Sequence, residues 1–138
     1  MKLSTINAIA GILSGMKINR ITDKEVKTAL VNDYLHLRRI VKDADEERRE
    51  LVEKFQADWR EELAEIESYR SQGKAVEGHE AYLEAERDAN RAIADIFNTD
   101  VETRLKGVKM EDFVGAIGNE ELTFEQIAFL QDNGLIEE

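Results

Sequence analysis

Apolar residues recur every three or four positions through the first half of the chain. No Pro or Gly occurs between "ITDKEV", at residues 21–26, and Gly73. This spacing is typical of one face of a helix. It predicts a continuous helix from Thr22 to Gly73, which at about 1.5 Å per residue would extend roughly 75 Å. The apolar positions are Leu30, Tyr34, Leu37, Val41, Ala44, Leu51, Phe55, Trp59, Leu63, Ile66 and Tyr69.

Local signals mark the start of this helix. Thr22 and Glu25 have the spacing of a capping box, and Ile21 is placed to pack on Val26. The charged segment 43–48 interrupts the apolar face in the middle of the helix. We interpret this segment as a solvated helix surface and not as a binding site, because its charges have the spacing of supporting pairs. A kink near residues 43–48 is an open alternative.

Two further helices are predicted to cover the long one. The glycines of "SQGKAVEGHE" predict a turn, and a second helix is expected over residues 79–98. So short a connection predicts an antiparallel hairpin, in which the second helix packs on Trp59, Leu63, Ile66 and Tyr69. A short helix over residues 5–17, capped by Ser4, is expected to cover the earlier part of the long helix.

The last 40 residues show a different pattern. "VETRLKGVKM" alternates apolar and polar residues, which predicts a strand over residues 101–106. A strand needs a partner, and either "MKLS" at the N-terminus or the same segment of another copy is a candidate. "MEDFVGAIG" predicts a short helix that Gly118 ends. In "ELTFEQIAFLQDNGLIEE", Thr123 and Gln126 predict a capped helix that stops at Gly134 and packs on the chain's own core.

These patterns predict a mainly α fold. It consists of a long antiparallel helical hairpin with a short N-terminal helix, a small strand element and a capped C-terminal helix. The length suits a single domain over residues 1–138. Within it we distinguish an N-terminal segment (1–21), the hairpin (22–98) and the strand with the C-terminal helices (99–138).

Charge excludes some classes of partner. Charged residues make up 36% of the chain and the net charge is −11. Residues 1–21 contain three basic and no acidic residues, while residues 101–138 contain three basic and nine acidic ones. The two ends could therefore attract each other within or between chains. Arginine pairs are interleaved with acidic residues, which argues against nucleic-acid binding. No stretch approaches the roughly 20 apolar residues that span a bilayer, so we expect a cytoplasmic protein without membrane contact.

Candidate catalytic and metal-binding chemistry is sparse. Cysteine is absent, which removes thiolate zinc sites and thiol nucleophiles. Asp33 and His36 have a ligand spacing, but the second Glu-x-x-His motif of a helical di-iron site is missing, so we interpret them as a surface pair. We interpret His79 as a turn residue at the start of the second helix. The sequence therefore predicts a protein that is not an enzyme and has no catalytic residue, no cofactor and no metal.

The apolar face of the long helix exceeds what its intramolecular partners are expected to cover. Trp59 and its aromatic neighbours are core residues in our interpretation, and an interface hot spot is the alternative. We expect a homo-oligomer, with a monomer as the alternative. The candidate interface residues are Leu30, Tyr34, Leu37, Val41, Phe55, Trp59 and Phe129.

The order of these elements resembles a group of short phage and prophage proteins of unknown function, which are encoded among virion structural and assembly genes. The segments "EERRELVEKF" and "LTFEQIAFL" carry the resemblance, which covers most of the chain. It implies a non-enzymatic interaction or assembly accessory protein whose partner is a virion structural or assembly protein, and it adds virion association as an alternative to the cytoplasmic location. It assigns no residue roles. A small bacterial regulatory or adaptor protein that acts through a helical surface is the alternative.

Overall fold

The computed structural model describes residues 1–118 and 122–138. This part of the chain is mainly helical, as predicted. Its helices are α1 (Leu3–Ser14), α2 (Lys24–Asp58), α3 (Arg60–Ser71), α4 (Glu80–Asn98), α5 (Met110–Ile117) and α6 (Phe124–Asp132). A 3-10 turn (Ile18–Arg20) precedes α2, and two short strands are β1 (Val108–Lys109) and β2 (Ile136–Glu137). Within the described ranges, no helix combines the length and the apolar character needed to cross a membrane.

The chain forms two compact units. Unit 1 comprises Met1–Lys42 and Thr99–Glu138, and unit 2 comprises Asp43–Asn98. The first half of α2 therefore belongs to unit 1 and its second half to unit 2. The single-domain organisation of residues 1–138 stays a prediction.

The predicted continuous helix from Thr22 to Gly73 is wrong, because α2 and α3 meet at a non-helical residue, Trp59. Its φ of −120° and ψ of 24° lie outside the helical region. The break lies beyond the charged segment 43–48. In a regular helix, residues four positions apart point in directions that differ by about 40°. The steps from Phe55 to Trp59 and from Trp59 to Leu63 would therefore move these side chains off a common face. The change at Trp59 coincides with an edge-to-face contact on Tyr82, with ring centroids 5.7 Å apart.

The cap of α2 is Asp23, and the predicted Thr22–Glu25 capping box is wrong. Asp23 Oδ1 accepts a hydrogen bond from the backbone N–H of Val26 at 3.0 Å, as an N-cap side chain does. Thr22 forms hydrogen bonds with a different helix. Its backbone N–H and its hydroxyl donate to the carbonyl of Ala116 at 3.0 Å and 3.4 Å, which ties the start of α2 to α5.

Helix α1 begins earlier than predicted because the backbone before it is paired. The N–H of Leu3 donates to the carbonyl of Thr99 at 3.0 Å, and the N–H of Val101 donates to the carbonyl of Met1 at 2.8 Å. The N-terminal ammonium of Met1 donates in turn to the carbonyl of Val101 at 3.1 Å. Ser4 therefore lies inside α1, and its predicted role as the cap is wrong.

The predicted strand over residues 101–106 is not formed. The strand β1 follows it and pairs in parallel with β2, with Val108 opposite Ile136. The predicted partner "MKLS" contributes one isolated antiparallel bridge, between Lys2 and Asp100. The alternation nevertheless appears in burial, since residues 101, 103 and 105 are half-buried while 102, 104 and 106 are exposed. Packing alternate side chains on a core is sufficient to produce a strand-like sequence pattern.

Asp33 explains why the segment before β1 needs no partner strand. This buried carboxylate is 2% exposed. Its Oδ1 accepts from the N–H of Lys106 at 2.8 Å and its Oδ2 accepts from the N–H of Gly107 at 3.3 Å. Two backbone donors that a strand ladder would otherwise satisfy are thus paired with one side chain. The predicted Asp33–His36 surface pair is wrong, because Asp33 faces this segment and His36 is exposed.

The core of unit 1 joins α1, the first half of α2, α5, α6 and both strands. Its buried residues are Ile6, Ile9, Ala10, Leu13, Ile21, Val26, Leu30, Leu37, Val108, Phe113, Ala116, Ile117, Leu130, Leu135 and Ile136. The C-terminal helix packs on this core as predicted, with Leu130 fully buried and Phe129 partly buried against it. The target of α6 is therefore the chain's own body.

The local predictions for α6 are confirmed. The hydroxyl of Thr123 accepts from the N–H of Gln126 at 3.1 Å, and the N–H of Thr123 donates to the side chain of Gln126 at 2.9 Å. Gly134 ends the helix at a φ of 83°, in the left-handed region that favours glycine. The N–H of Leu135 then donates to the carbonyl of Leu130 at 3.0 Å. These signals all lie within a few residues of each other in the sequence.

In unit 2, α4 packs on the second half of α2 and on α3. Tyr82 is almost fully buried, and its ring centroid lies 5.4 Å from that of Phe55 and 5.7 Å from that of Trp59. Ile66 of α3 is also fully buried. The predicted second helix over residues 79–98 is confirmed, as α4, and its predicted packing on Trp59 is confirmed by the contact with Tyr82.

Candidate docking groove

An open apolar groove lies in unit 1, between α1, the 3-10 turn and the first half of α2. Its cavity volume is about 300 Å³. We call it the N-terminal groove and define it by its lining residues, Leu13, Ser14, Met16, Ile18, Ile21, Leu30, Val31 and Tyr34. Seven of these eight side chains are apolar or aromatic, so the groove offers a partner little besides apolar contact.

Local structure determines which side chains form the floor and the rim. Leu13, Ile21 and Leu30 are buried in the core and form the floor. The chain leaves α1 at Gly15, whose N–H donates to carbonyls of the last turn of α1. The 3-10 turn that follows places Ile18 on the rim, where it is 53% exposed. The groove is thus a surface feature on a rigid floor.

The exposed apolar surface continues beyond the groove along α2. Val31 and Tyr34 are half-buried, and Leu35 is 48% exposed. Leu35 follows Val31 by one helical turn, so the two side chains are neighbours on the helix surface. A partner in the groove therefore has additional apolar surface beside it.

Basic residues adjoin this apolar surface in the sequence. Lys17 and Arg20 flank Ile18 in the sequence, and Lys27 precedes Val31 by one helical turn. Residues 1–42 contain eight basic and three acidic residues, a net charge of +5 in a chain whose total is −11. Residues 99–138, which complete unit 1, carry a net charge of −7, so unit 1 as a whole has a net charge of −2 and the basic character is confined to the segment that lines the groove. The basic residues beside the groove favour an acidic partner.

The structure places the predicted interface residues in several environments. Leu30 and Tyr34 line the N-terminal groove, Leu30 on its floor and Tyr34 half-buried at its side. Leu37 is fully buried in the core and offers no surface to a partner. Val41 and Phe129 are half-buried against the same core. The structure thus brings together two of the seven residues at one surface feature.

Phe55 and Trp59 lie in unit 2, where both contact Tyr82. Phe55 and Tyr82 also line a second cavity, of about 220 Å³, between α2, α3 and α4. Three of its polar side chains bond each other. The guanidinium of Arg70 donates to both carboxylate oxygens of Glu86 at 2.8 Å and 3.0 Å, and the hydroxyl of Tyr82 donates to Glu86 at 3.1 Å.

These bonds shift the titration of the groups that form them. The hydrogen bond from Arg70 lowers the pKa of Glu86, and burial raises the pKa of Tyr82. The groups satisfy each other, which joins α3 to α4. The second cavity therefore has an evident structural role.

His79 precedes α4, where it was predicted as a turn residue, and its carbonyl accepts from the N–H of Leu83 at 3.0 Å. Its Nδ1 lies 3.0 Å from Glu62 Oε2 and its Nε2 lies 3.6 Å from Glu65 Oε1. The hydrogen bond with Glu62 raises the pKa of His79 above its ordinary value. The imidazole thus connects the loop before α4 to α3.

Carboxylates also line a polar cavity beside β1, formed in part by Asp23, Glu25, Asp112 and Glu137. In the part of the chain that the structure describes, no group of three or more His, Asp or Glu residues is placed to hold a metal ion. This cavity therefore provides no argument for metal chemistry.

The sequence patterns did not identify Ile18 and Phe124 as exposed apolar residues. Ile18 lies in a short connection outside the helical periodicity. Phe124, the first residue of α6, is 92% exposed. Its position is about 120° around the helix from the buried Leu130. This angle could have indicated from the sequence that Phe124 is exposed. The prediction that this helix packs on the chain's own core does not distinguish Phe124 as exposed.

Comparison with known proteins assigns this chain to no family, because no protein-family model, no curated protein and no solved structure matches it. No residue role is therefore transferred from another protein. The chemistry of the N-terminal groove has to provide the functional hypothesis.

Proposed function

We propose that this protein is a non-enzymatic docking protein, whose N-terminal groove binds the apolar face of a helix from a protein partner. The open apolar groove is the observation that carries the proposal. Its rim residue Ile18 is 53% exposed, and the neighbouring Leu35 is 48% exposed. Contiguous exposed apolar surface on a globular domain is characteristic of interaction sites, and an apolar groove on a helical surface suits an amphipathic helix.

Charge defines the chemistry of the partner segment. Lys17, Arg20 and Lys27, which lie next to lining residues of the groove in the sequence or one helical turn away, favour a helix whose apolar face is flanked by Asp or Glu. Electrostatic complementarity of this kind accelerates association and excludes partners with basic flanks. The proposed partner is therefore an acidic amphipathic helix.

The lining of the N-terminal groove supports a binding role. Seven of its eight side chains are apolar or aromatic. Such a lining provides contact area for an apolar ligand surface, whereas acid-base catalysis requires ionisable groups in the cleft.

We further propose that this docking serves particle assembly, as the resemblance to phage and prophage proteins implies. An accessory protein of this kind works by binding virion proteins through a helical surface. The proposal for the groove does not depend on that setting, because it rests on the lining and the charge of the groove.

Peptide binding tests the groove. Two labelled helical peptides share one apolar face and differ only in having Glu or Lys flanks. Fluorescence anisotropy should show tighter binding of the Glu-flanked peptide, weakening as salt is added. Ile18→Ser and Val31→Asp should weaken binding at least about tenfold, which is the loss expected when one large apolar contact is removed.

The matched control is Val114→Ser. Val114 is 52% exposed, close to the exposure of Ile18, but it lies on α5 and does not line the groove. This variant should bind like the unmodified chain. Equal binding of both peptides, or unchanged binding by the groove variants, would refute the proposed docking role.

A further inference from the structure

Phe124 is the most exposed large apolar side chain that the structure describes, at 92%. It is the first residue of α6, directly after the Thr123 cap. The two reciprocal hydrogen bonds between Thr123 and Gln126 fix the backbone around it. A side chain presented from a fixed backbone loses less conformational entropy on binding than one on a mobile loop.

Phe124 and the N-terminal groove are both unpartnered, although both belong to unit 1. At 92% exposure, the phenyl ring packs on almost none of its own chain. The groove of the same chain stays open, with a volume of about 300 Å³. One copy therefore carries an apolar projection and an apolar recess that do not fill each other.

The charges around the two features are opposite. Glu125 directly follows Phe124. On the groove side, Lys17 adjoins the lining residue Ile18 and Arg20 adjoins the lining residue Ile21. Apolar contact and charge complementarity thus favour the same pairing between two copies.

We propose that Phe124 of one copy inserts into the N-terminal groove of a second copy, so that the protein assembles with itself. This inference rests on the proposed docking role of the groove and names its occupant. The contact joins two different surfaces, so each copy in a pair retains one free projection or one free recess. Contacts of this kind build rings or open chains and are not limited to dimers.

Complementation between two variants is the decisive experiment. Phe124→Ser removes the projection and leaves the groove intact, while Ile18→Ser alters the groove and leaves Phe124 intact. Sedimentation velocity should show concentration-dependent assembly of the unmodified chain. Each variant alone should need at least about tenfold higher concentration to assemble, since one large apolar contact is lost.

An equimolar mixture of the two variants should form a defined heterodimer that neither variant forms alone. Each variant then contributes its one intact surface to a single contact. No further copy can add to the pair, because no intact projection or recess is left. Val114→Ser should assemble like the unmodified protein, and circular dichroism should show that all three variants keep their helical content. A symmetric interface elsewhere on the molecule would not produce this complementation.

Charge reversal provides an independent test of the same contact. Glu125→Lys and Arg20→Glu should each weaken assembly, because like charges then meet wherever two copies join. An equimolar mixture of these two variants should recover assembly, because each contact between unlike copies again joins a basic to an acidic side chain. The double variant, which carries both changes, should recover it for the same reason, with the two charges exchanged. Failure of both the mixture and the double variant to recover would contradict the charge pairing.

Three results would overturn the inference: an unmodified chain that stays monomeric, a Phe124→Ser variant that assembles normally, or a Phe124→Ser and Ile18→Ser mixture that forms no heterodimer. These results leave the groove's peptide binding intact if the natural occupant is another protein. Loss of peptide binding as well would show that the docking role itself is wrong. The two failures are therefore distinguishable.

Discussion

Unit 1 and unit 2 are both helical, but they are stabilised in different ways. Among the described residues, sixteen buried apolar residues lie in unit 1 and four lie in unit 2. Unit 2 depends more on polar contacts, such as the Arg70–Glu86 pair and the His79–Glu62 bond. Buried apolar area provides most of the free energy of folding, whereas exposed ion pairs contribute little.

The difference places the proposed binding surface on the unit with the larger apolar core. The N-terminal groove lies on the larger core, so its floor is fixed before any partner binds. The cavity of unit 2 lies among helices that polar contacts join. We therefore expect unit 2 to open locally before unit 1, and hydrogen exchange of its backbone amides to be faster.

The largest expected effect comes from the core of unit 1. Phe113 is fully buried, and Phe113→Ala should lower the free energy of unfolding by about 3–5 kcal/mol. Denaturant titration followed by circular dichroism measures the loss. The neighbouring Val114→Ala, at a half-exposed position, should change stability by less than about 0.5 kcal/mol. Similar losses for both variants would show that the core of unit 1 is not as the structure has it.

Asp33 tests the polar bond inside unit 1. Asp33→Asn replaces one carboxylate oxygen by an amide donor facing the N–H of Lys106 or Gly107. It should cost about 1.5–3 kcal/mol, the range for hydrogen bonds to a charged group. The matched control is His36→Ala, one turn away and exposed, which should be nearly neutral. If both variants unfold at the same denaturant concentration, Asp33 does not hold the segment before β1.

Tyr82 tests the polar bonds of unit 2. Tyr82→Phe keeps the ring contacts with Phe55 and Trp59 but removes the hydroxyl that donates to Glu86. A loss of about 0.5–1.5 kcal/mol is expected for one hydrogen bond. Amide exchange should accelerate in α3 and α4 while the amides of α5 and α6 are unaffected. Uniform acceleration in both units would contradict the comparison.

The smallest effect concerns pH and is confined to unit 2. The hydrogen bond with Glu62 raises the folded-state pKa of His79 above its ordinary value of 6.5. The protonated imidazole is therefore favoured in the folded state, and its stabilising contribution is complete below pH 6.5 and lost as pH rises through the raised pKa. His79→Gln should remove this dependence. An NMR titration of His79 that gives a pKa at or below its ordinary value would rule it out.

Several features that depend on neighbouring residues were predictable from the sequence, although the Thr22 and Ser4 caps were not among them. The capping box of Thr123, the stop at Gly134 and the extent of α4 each follow from signals a few residues apart. Contacts between distant parts of the chain were not predictable. Asp33 bonds Lys106 across 73 positions and Thr22 bonds Ala116 across 94, and no local pattern specifies either pairing.

The same distinction applies to the groove. Leu30 and Tyr34 were predicted as interface residues because they follow the helical period of α2. Ile18 was missed because its exposure results from the turn between α1 and α2. The break at Trp59 was missed because no Pro or Gly marks it in the sequence, and it coincides with a contact to Tyr82, which lies on another helix. Periodicity identifies helix faces, and tertiary packing decides which residues of a face stay accessible.

The central claim is that recognition takes place at the N-terminal groove. Titration of isotope-labelled protein with the Glu-flanked helical peptide tests it most directly, with backbone amide shifts recorded by NMR. We predict that the shifts concentrate at Ile18, Val31 and Tyr34 in unit 1. Shifts centred on Phe55 and Tyr82 of unit 2, or no shifts at all, would contradict the claim.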